Sequence, residues 1–221
     1  MATLLTISNR LPHEYFLTTG NGESNAGSKG LPYETGSYDA ALNSAGIENA
    51  NVMVYTSVVP PSAKKIPKDK ALSRIKWGQV LECIKAETNG LKGETISAGV
   101  MITKVYNKKK EYMGGFACEY SGSGNKKEIE ESLLHSVKDM IERRGYGKLG
   151  PSTKVYKDNV TSKGYIIHPG AEFIWESMQV TKHAGSVLAA ICFMSFNVDV
   201  LNSSEGPNTY RPTKNKTRKR R

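Results

Sequence analysis

Cysteine is scarce in this 221-residue chain and badly spaced for bonding. Cys83, Cys118 and Cys192 are far apart, form no CxxC pair and do not make an even count. A disulfide scaffold and a structural zinc site are therefore excluded, and a reducing, cytoplasmic compartment is the expectation. Long apolar runs are missing too. The longest, Val187 to Met194 (VLAAICFM), falls well short of the ~18 residues of a membrane helix. The opening MATLLTISNR has neither a basic start nor a long apolar stretch, so it is read without a signal peptide, and the N-x-[ST] triplets at Asn159, Asn202 and Asn215 carry little weight. The four histidines show no HxxxH or HExxH spacing, so no metal site is expected. CEYSGSGNKKEIEE invites a phosphate-cradle reading, yet it has no GxxxxGK[ST], and Lys127 stands where a GxGxxG would need its third glycine.

What the chain does have is positive charge, a net +10. Seven basic residues and one acid lie between Glu205 and Arg221, so that segment carries +6 and the preceding 204 residues only about +4. EGPNTYRPTKNKTRKRR is polar and aperiodic and reads as a disordered basic tail, 205–221, behind one domain, 1–204. A solvated terminus is the reading taken. A tether to nucleic acid is the alternative, and nucleic acid ranks low because no recognition helix or aromatic stacking motif is evident.

The segment up to about Tyr33 is rich in Gly, Ser and Asn and reads as loop around a short strand, Tyr15–Thr18. Ser37 suits an N-cap for a short helix over YDAALNSA, stopped by Gly46, with Asp39 in its first turn. Asn49–Val59 reads as one strand entering a turn at Pro60-Pro61, and Gln79–Ala86 as another. Residues 95–120 predict a hairpin turning at NKKK, with Glu119 at the end of its second arm. Asn125 and Glu128 form a capping box for a helix that Gly145 ends. The 146–169 stretch gives mixed signals, and closing strands are expected around Phe173–Lys182 and Ser186–Phe196. Hairpins with two separated helices favour an α+β fold.

Three stretches carry the chemistry: GIENANVMVYTSVVPP (46–61), GETISAGV (93–100) and GGFACEYSG (114–122), with YDAALNSA upstream. Together they resemble the pyruvoyl-dependent arginine decarboxylases, over roughly Tyr15 to Ile141 with a weaker echo in AGSVLAAICF. The resemblance implies a four-layer αββα sandwich with mainly antiparallel sheets. It implies self-cleavage between Thr56 and Ser57 into chains 1–56 and 57–221, and a covalent pyruvoyl cofactor made from Ser57. It also implies homotrimers, alone or as a dimer of trimers, with sites between subunits.

By the same resemblance, the α-amine of L-arginine condenses with that ketone as a Schiff base, CO2 departs and agmatine is the product. Glu119 matches the family's proton donor, Asn51 the residue that assists processing, and Asp39 the acid that binds the guanidinium. Their ordinary alternatives are a strand-end glutamate at 119 and a helix-dipole aspartate at 39. Thr56-Ser57 replaces the more common Ser-Ser but keeps the attacking serine. Lysine or ornithine remains an alternative substrate. Glu82, in GQVLE, is a further acid without an assigned role.

Overall fold

The computed structural model describes residues 9–28, 31–32, 34–147 and 160–199. The basic tail, the boundary at 204 and the 148–159 part of the unassigned stretch lie outside the described residues. In chain order the elements are β1 (Leu11–Ser24), β2 (Gly27–Ser28), β3 (Leu31–Pro32), α1 (Glu34–Ala45), β4 (Asn51–Val54), β5 (Val58–Val59), β6 (Lys64–Lys65) and α2 (Lys68–Leu72). They continue as β7 (Val80–Leu91), β8 (Thr95–Asn107), β9 (Tyr112–Gly122), α3 (Lys126–Arg143), β10 (Val160–Ser162), β11 (Tyr165–Gln179) and β12 (Ala184–Asn197). Two five-stranded sheets result. Sheet one runs β4-β7-β12-β1-β6 and sheet two β10-β11-β8-β9-β5, while β2 and β3 pair separately. Within the two large sheets pairing is antiparallel, except at two edges where β4 lies parallel to β7 and β6 to β1.

Side-chain alternation along the central strands builds the layers. On β12, Leu188, Ala190 and Cys192 pack with Ala41 and Ala45 of α1, while Val187, Ala189, Ile191 and Phe193 face the other sheet. On β8, Ile96, Ala98, Val100 and Ile102 meet that inner core, and Met101 and Val105 pack with Ile129, Leu133, Val137 and Ile141 of α3. The order is therefore α1, sheet one, sheet two, α3: an α+β sandwich, both of whose sheets are apolar on two faces. Full burial of each large side chain contributes about 1.5–3 kcal/mol, which is why these strands read as near-continuous apolar runs.

The capping box at Asn125, the stop at Gly145, the 95–120 hairpin and the closing pair of strands are all present. Several local expectations need correction. The opening is not loop around a short strand: β1 spans fourteen residues and registers along β12 from Leu11–Asn197 to Ser24–Ala184. Its glycines mark close approach instead of a turn. A Cβ on Gly20 would stand 2.1 Å from the Ala41 carbonyl oxygen, and one on Gly22 would stand 2.5 Å from Ala41 N. Ser37 is not a cap. It lies inside α1, fully buried, its hydroxyl 2.8 Å from that of Ser186 on β12. Because α1 begins at Glu34, Asp39 falls in its second turn, beyond the strongest reach of the helix dipole. Glu119 lies within β9, three residues short of its end.

Candidate active site

The expected single strand over Asn49–Val59 is two strands in different sheets. β4 pairs with β7 in sheet one, and β5 pairs with β9 in sheet two. No proline or glycine marks the break within VMVYTSVV, so composition alone hides it. The chain crosses between sheets over Tyr55, Thr56 and Ser57, and both ends of the crossing are tied. Tyr55 N donates to the Cys83 carbonyl of β7 at 2.7 Å. Ser57 O accepts from Ala117 N of β9, also at 2.7 Å. Thr56 is exposed and Ser57 half-buried between these anchors.

The same tie brings Glu119 to the crossing. The β5–β9 register sets Val58 against Phe116, so Ser57 lies beside Ala117, and Glu119 follows two residues on along the same face of β9. Ala117 belongs to the inner core, so that face is the one turned toward sheet one. Glu119 keeps access to solvent, yet desolvation by the surrounding protein raises its carboxyl pKa above the ordinary range. That is the direction a carboxyl needs in order to hold a proton for delivery.

Asp39 and Asn51 lie elsewhere in the chain. Asp39 is exposed on α1, the outer layer over sheet one. Asn51 opens β4, also exposed, with its side-chain amide donating to Gly78 O at 2.9 Å and its backbone N to Gln79 O at 2.8 Å. An extended strand separates it from Thr56. One chain thus joins Ser57 with Glu119 at the crossing, and carries Asp39 and Asn51 on its sheet-one side.

Sequence reasoning passed over the residues around Tyr55. Its ring packs on Phe193, with centroids 5.8 Å apart. Burial, and then the nearby Glu82 carboxylate, push its hydroxyl pKa up. Glu82 is 2% exposed and ion-paired with Arg10. The acid was visible in GQVLE, but nothing local signals a partner 72 residues upstream.

A family model for the pyruvoyl-dependent arginine decarboxylases matches residues 14–198. The chain belongs to the pyruvoyl-dependent arginine decarboxylase family. Curated relatives so named include one from Chlamydia caviae, 40% identical over 116 residues, which are 50% of this chain and 60% of the relative. A Chlamydia trachomatis serovar L2 relative is 41% identical over 118 residues, with the same coverage. One from Methanococcus aeolicus is 33% identical over 138 residues, 62% of this chain and 75% of the relative. The chain thus spans about three-fifths of the chlamydial relatives it matches. The family's cofactor is a covalently bound pyruvoyl group, and the tethered Ser57, with a carboxyl of raised pKa on the adjacent strand, fits its formation and use. Among the described residues, no group of three or more side chains could hold a metal ion, and no helix is long and apolar enough to cross a membrane. A cavity of about 350 Å³ lined by Tyr106, Lys110, Ile166 and His168 lies at the turn end of the β8–β9 hairpin. It is lined by no acid to receive a guanidinium.

Proposed function

We propose that this chain cuts itself between Thr56 and Ser57 and then decarboxylates L-arginine to agmatine and CO2. The observation that carries the reading is the crossing between sheets, tied at Tyr55 N and at Ser57 O by two 2.7 Å hydrogen bonds. A peptide fixed on both sides has lost the freedom that would otherwise dilute a near-attack geometry. The Ser57 hydroxyl oxygen adds to the Thr56 carbonyl, the C–N bond breaks and an ester replaces the amide. Elimination across Cα–Cβ of residue 57 releases Thr56 as a carboxylate. Hydrolysis of the resulting dehydroalanine expels ammonia and leaves a ketone at position 57.

The pyruvoyl group, once present, supplies an electron sink for the pair released as CO2 leaves. The remaining work belongs to side chains. Glu119, its carboxyl pKa raised by desolvation, delivers a proton to the substrate α-carbon. The Asp39 carboxylate takes the guanidinium in a forked pair, which favours arginine over lysine or ornithine. Asn51 donates to the oxyanion formed at Thr56.

These roles need a second subunit, since Asp39 and Asn51 stand away from Ser57 and Glu119 in one chain. A homotrimer, alone or paired into a dimer of trimers, supplies it. Met53, Val54 and Val58 are exposed apolar side chains flanking the crossing, at 54%, 61% and 53%, and Trp77, 86% exposed, precedes the Gly78 that bonds to the start of β4; such side chains suit a subunit contact. Denaturing mass spectrometry of the purified protein should show fragments 1–56 and 57–221, and Ser57→Ala a single chain. An intact wild-type chain that releases no CO2 from arginine would sink the reading. Assaying arginine, lysine and ornithine side by side decides the substrate.

A further inference from the structure

Glu82 is a buried acid to which the reaction above gives no task. It faces the inner core from β7, directly opposite Phe193 on β12, and is 2% exposed. Arg10 pairs with its Oε1, whereas its Oε2 is buried with no hydrogen-bond partner among the described residues. A half-satisfied buried carboxylate is unfavourable beside an apolar residue of similar size, so its presence asks for a role. Its neighbours suggest one. Arg10 and Glu82 are the charged neighbours of the Tyr55 hydroxyl, and the strand register sets Glu82 beside Met53, two residues before Tyr55. The next residue after Glu82, Cys83, is the one whose carbonyl holds Tyr55 N. The Arg10 guanidinium is itself steadied over the Phe196 ring, 4.8 Å from its centroid. Tyr55 is thus held at its backbone by Cys83 and along its ring by Phe193, with the Arg10–Glu82 pair as the charged neighbours of its hydroxyl, one residue before the scissile Thr56.

We propose that Glu82 and Arg10 are positioning residues for self-cleavage, acting through Tyr55 to set the orientation of the Thr56 carbonyl toward the Ser57 hydroxyl. The inference rests on the self-cleavage reading. Neither residue touches the reacting atoms. A displacement of about 1 Å at a reacting centre lowers a rate by roughly a hundredfold, so a remote grip of this kind is enough to be decisive.

The test follows the cutting of freshly purified precursor by denaturing gel and mass spectrometry, with thermal midpoints measured on the same samples. Variants are E82Q, Tyr55→Phe, which keeps the ring but lacks the hydroxyl, and the pair Arg10→Ala and Arg10→Lys. E82Q, Y55F and R10A should slow cleavage roughly tenfold or more. Arg10→Lys should recover most of the rate that Arg10→Ala loses, and Y55F should leave the thermal midpoint near that of wild type. Wild-type rates in E82Q and Y55F overturn the inference, as does slowing that tracks lost thermal stability with no rescue by lysine. If the wild-type chain itself stays uncut, the self-cleavage reading falls and takes this inference with it. That result is distinct from a cut wild type with equally fast variants.

Discussion

Ser57 and Glu119 are joined by one backbone hydrogen bond's worth of register. Both were readable in the sequence because each sits inside a short local motif. Replacing Glu119 by Gln should lower the turnover of already-cut enzyme by about 10²–10⁴-fold, the usual worth of a positioned acid, measured as CO2 release per cut chain. Desolvation raises the Glu119 pKa, so the acid form persists to higher pH than in an ordinary carboxyl. Turnover should accordingly fall as pH rises through that elevated value, and the falling limb should be missing in the Gln variant. Asp39→Ala should act on binding. Loss of a forked ionic pair, about 1.5–3 kcal/mol, raises the KM for arginine about 10- to 150-fold. The Arg10–Glu82–Tyr55 group was illegible because its contacts join β1, β7 and the crossing, and no spacing rule links residues that far apart.

At the level of elements, α3 was easier to read than β1. Asn125 and Glu128 advertise the start of α3 with a reciprocal bond that needs only four residues, whereas β1 reads as loop because its glycines answer to α1, which follows it in the chain. Gly20→Ala would drive a methyl group into the Ala41 carbonyl. Overpacking of that kind costs about 1–3 kcal/mol. The thermal midpoint should fall by about 2–4 °C per kcal/mol in a chain of this size, read by circular dichroism. Cys83 and Cys192 face each other across β7 and β12 with sulfurs 3.2 Å apart, both fully buried. Burial pushes the Cys192 thiol up, and it pushes the Cys118 thiol up to about 12. All three thiols are buried, so they should resist a thiol reagent in the folded protein and react only on unfolding.

Across the whole molecule, the two sheets are clasped near one end by Glu172 of β11. It accepts from Tyr15 Oη at 2.7 Å and pairs with Lys104 of its own sheet at 2.9 Å and with Lys65 of sheet one at 2.8 Å. Burial pushes its carboxyl pKa up, but the bonds from Lys65, Tyr15 and Lys104 outweigh burial and hold it lowered. A folded pKa below the unfolded one means stability that is present above the unfolded value and lost as pH falls through the folded one. Chemical denaturation from pH 7 downward should show this loss, and Glu172→Gln should flatten it. Under the proposed trimer with sites between subunits, co-expressing D39A with E119Q should restore about a quarter of wild-type activity through mixed trimers with one intact site. Sites made within one chain would restore none.

The crossing over residues 55–57 also decides what the cut does to the molecule as a physical object. Residues 1–56 hold β1, α1 and β4, and β1 lies inside sheet one between β12 and β6. The proposed cut between Thr56 and Ser57 would leave the folded assembly in place but turn its refolding from a search within one molecule into an encounter between two. The uncut Ser57→Ala chain should therefore melt and recover along the same path at any dilution. The cut protein should show hysteresis, its recovery growing worse as it is diluted, so that its lifetime is set by the rate of unfolding. Maturation would in this way act as a ratchet, committing the molecule to a form it can keep but cannot readily regain.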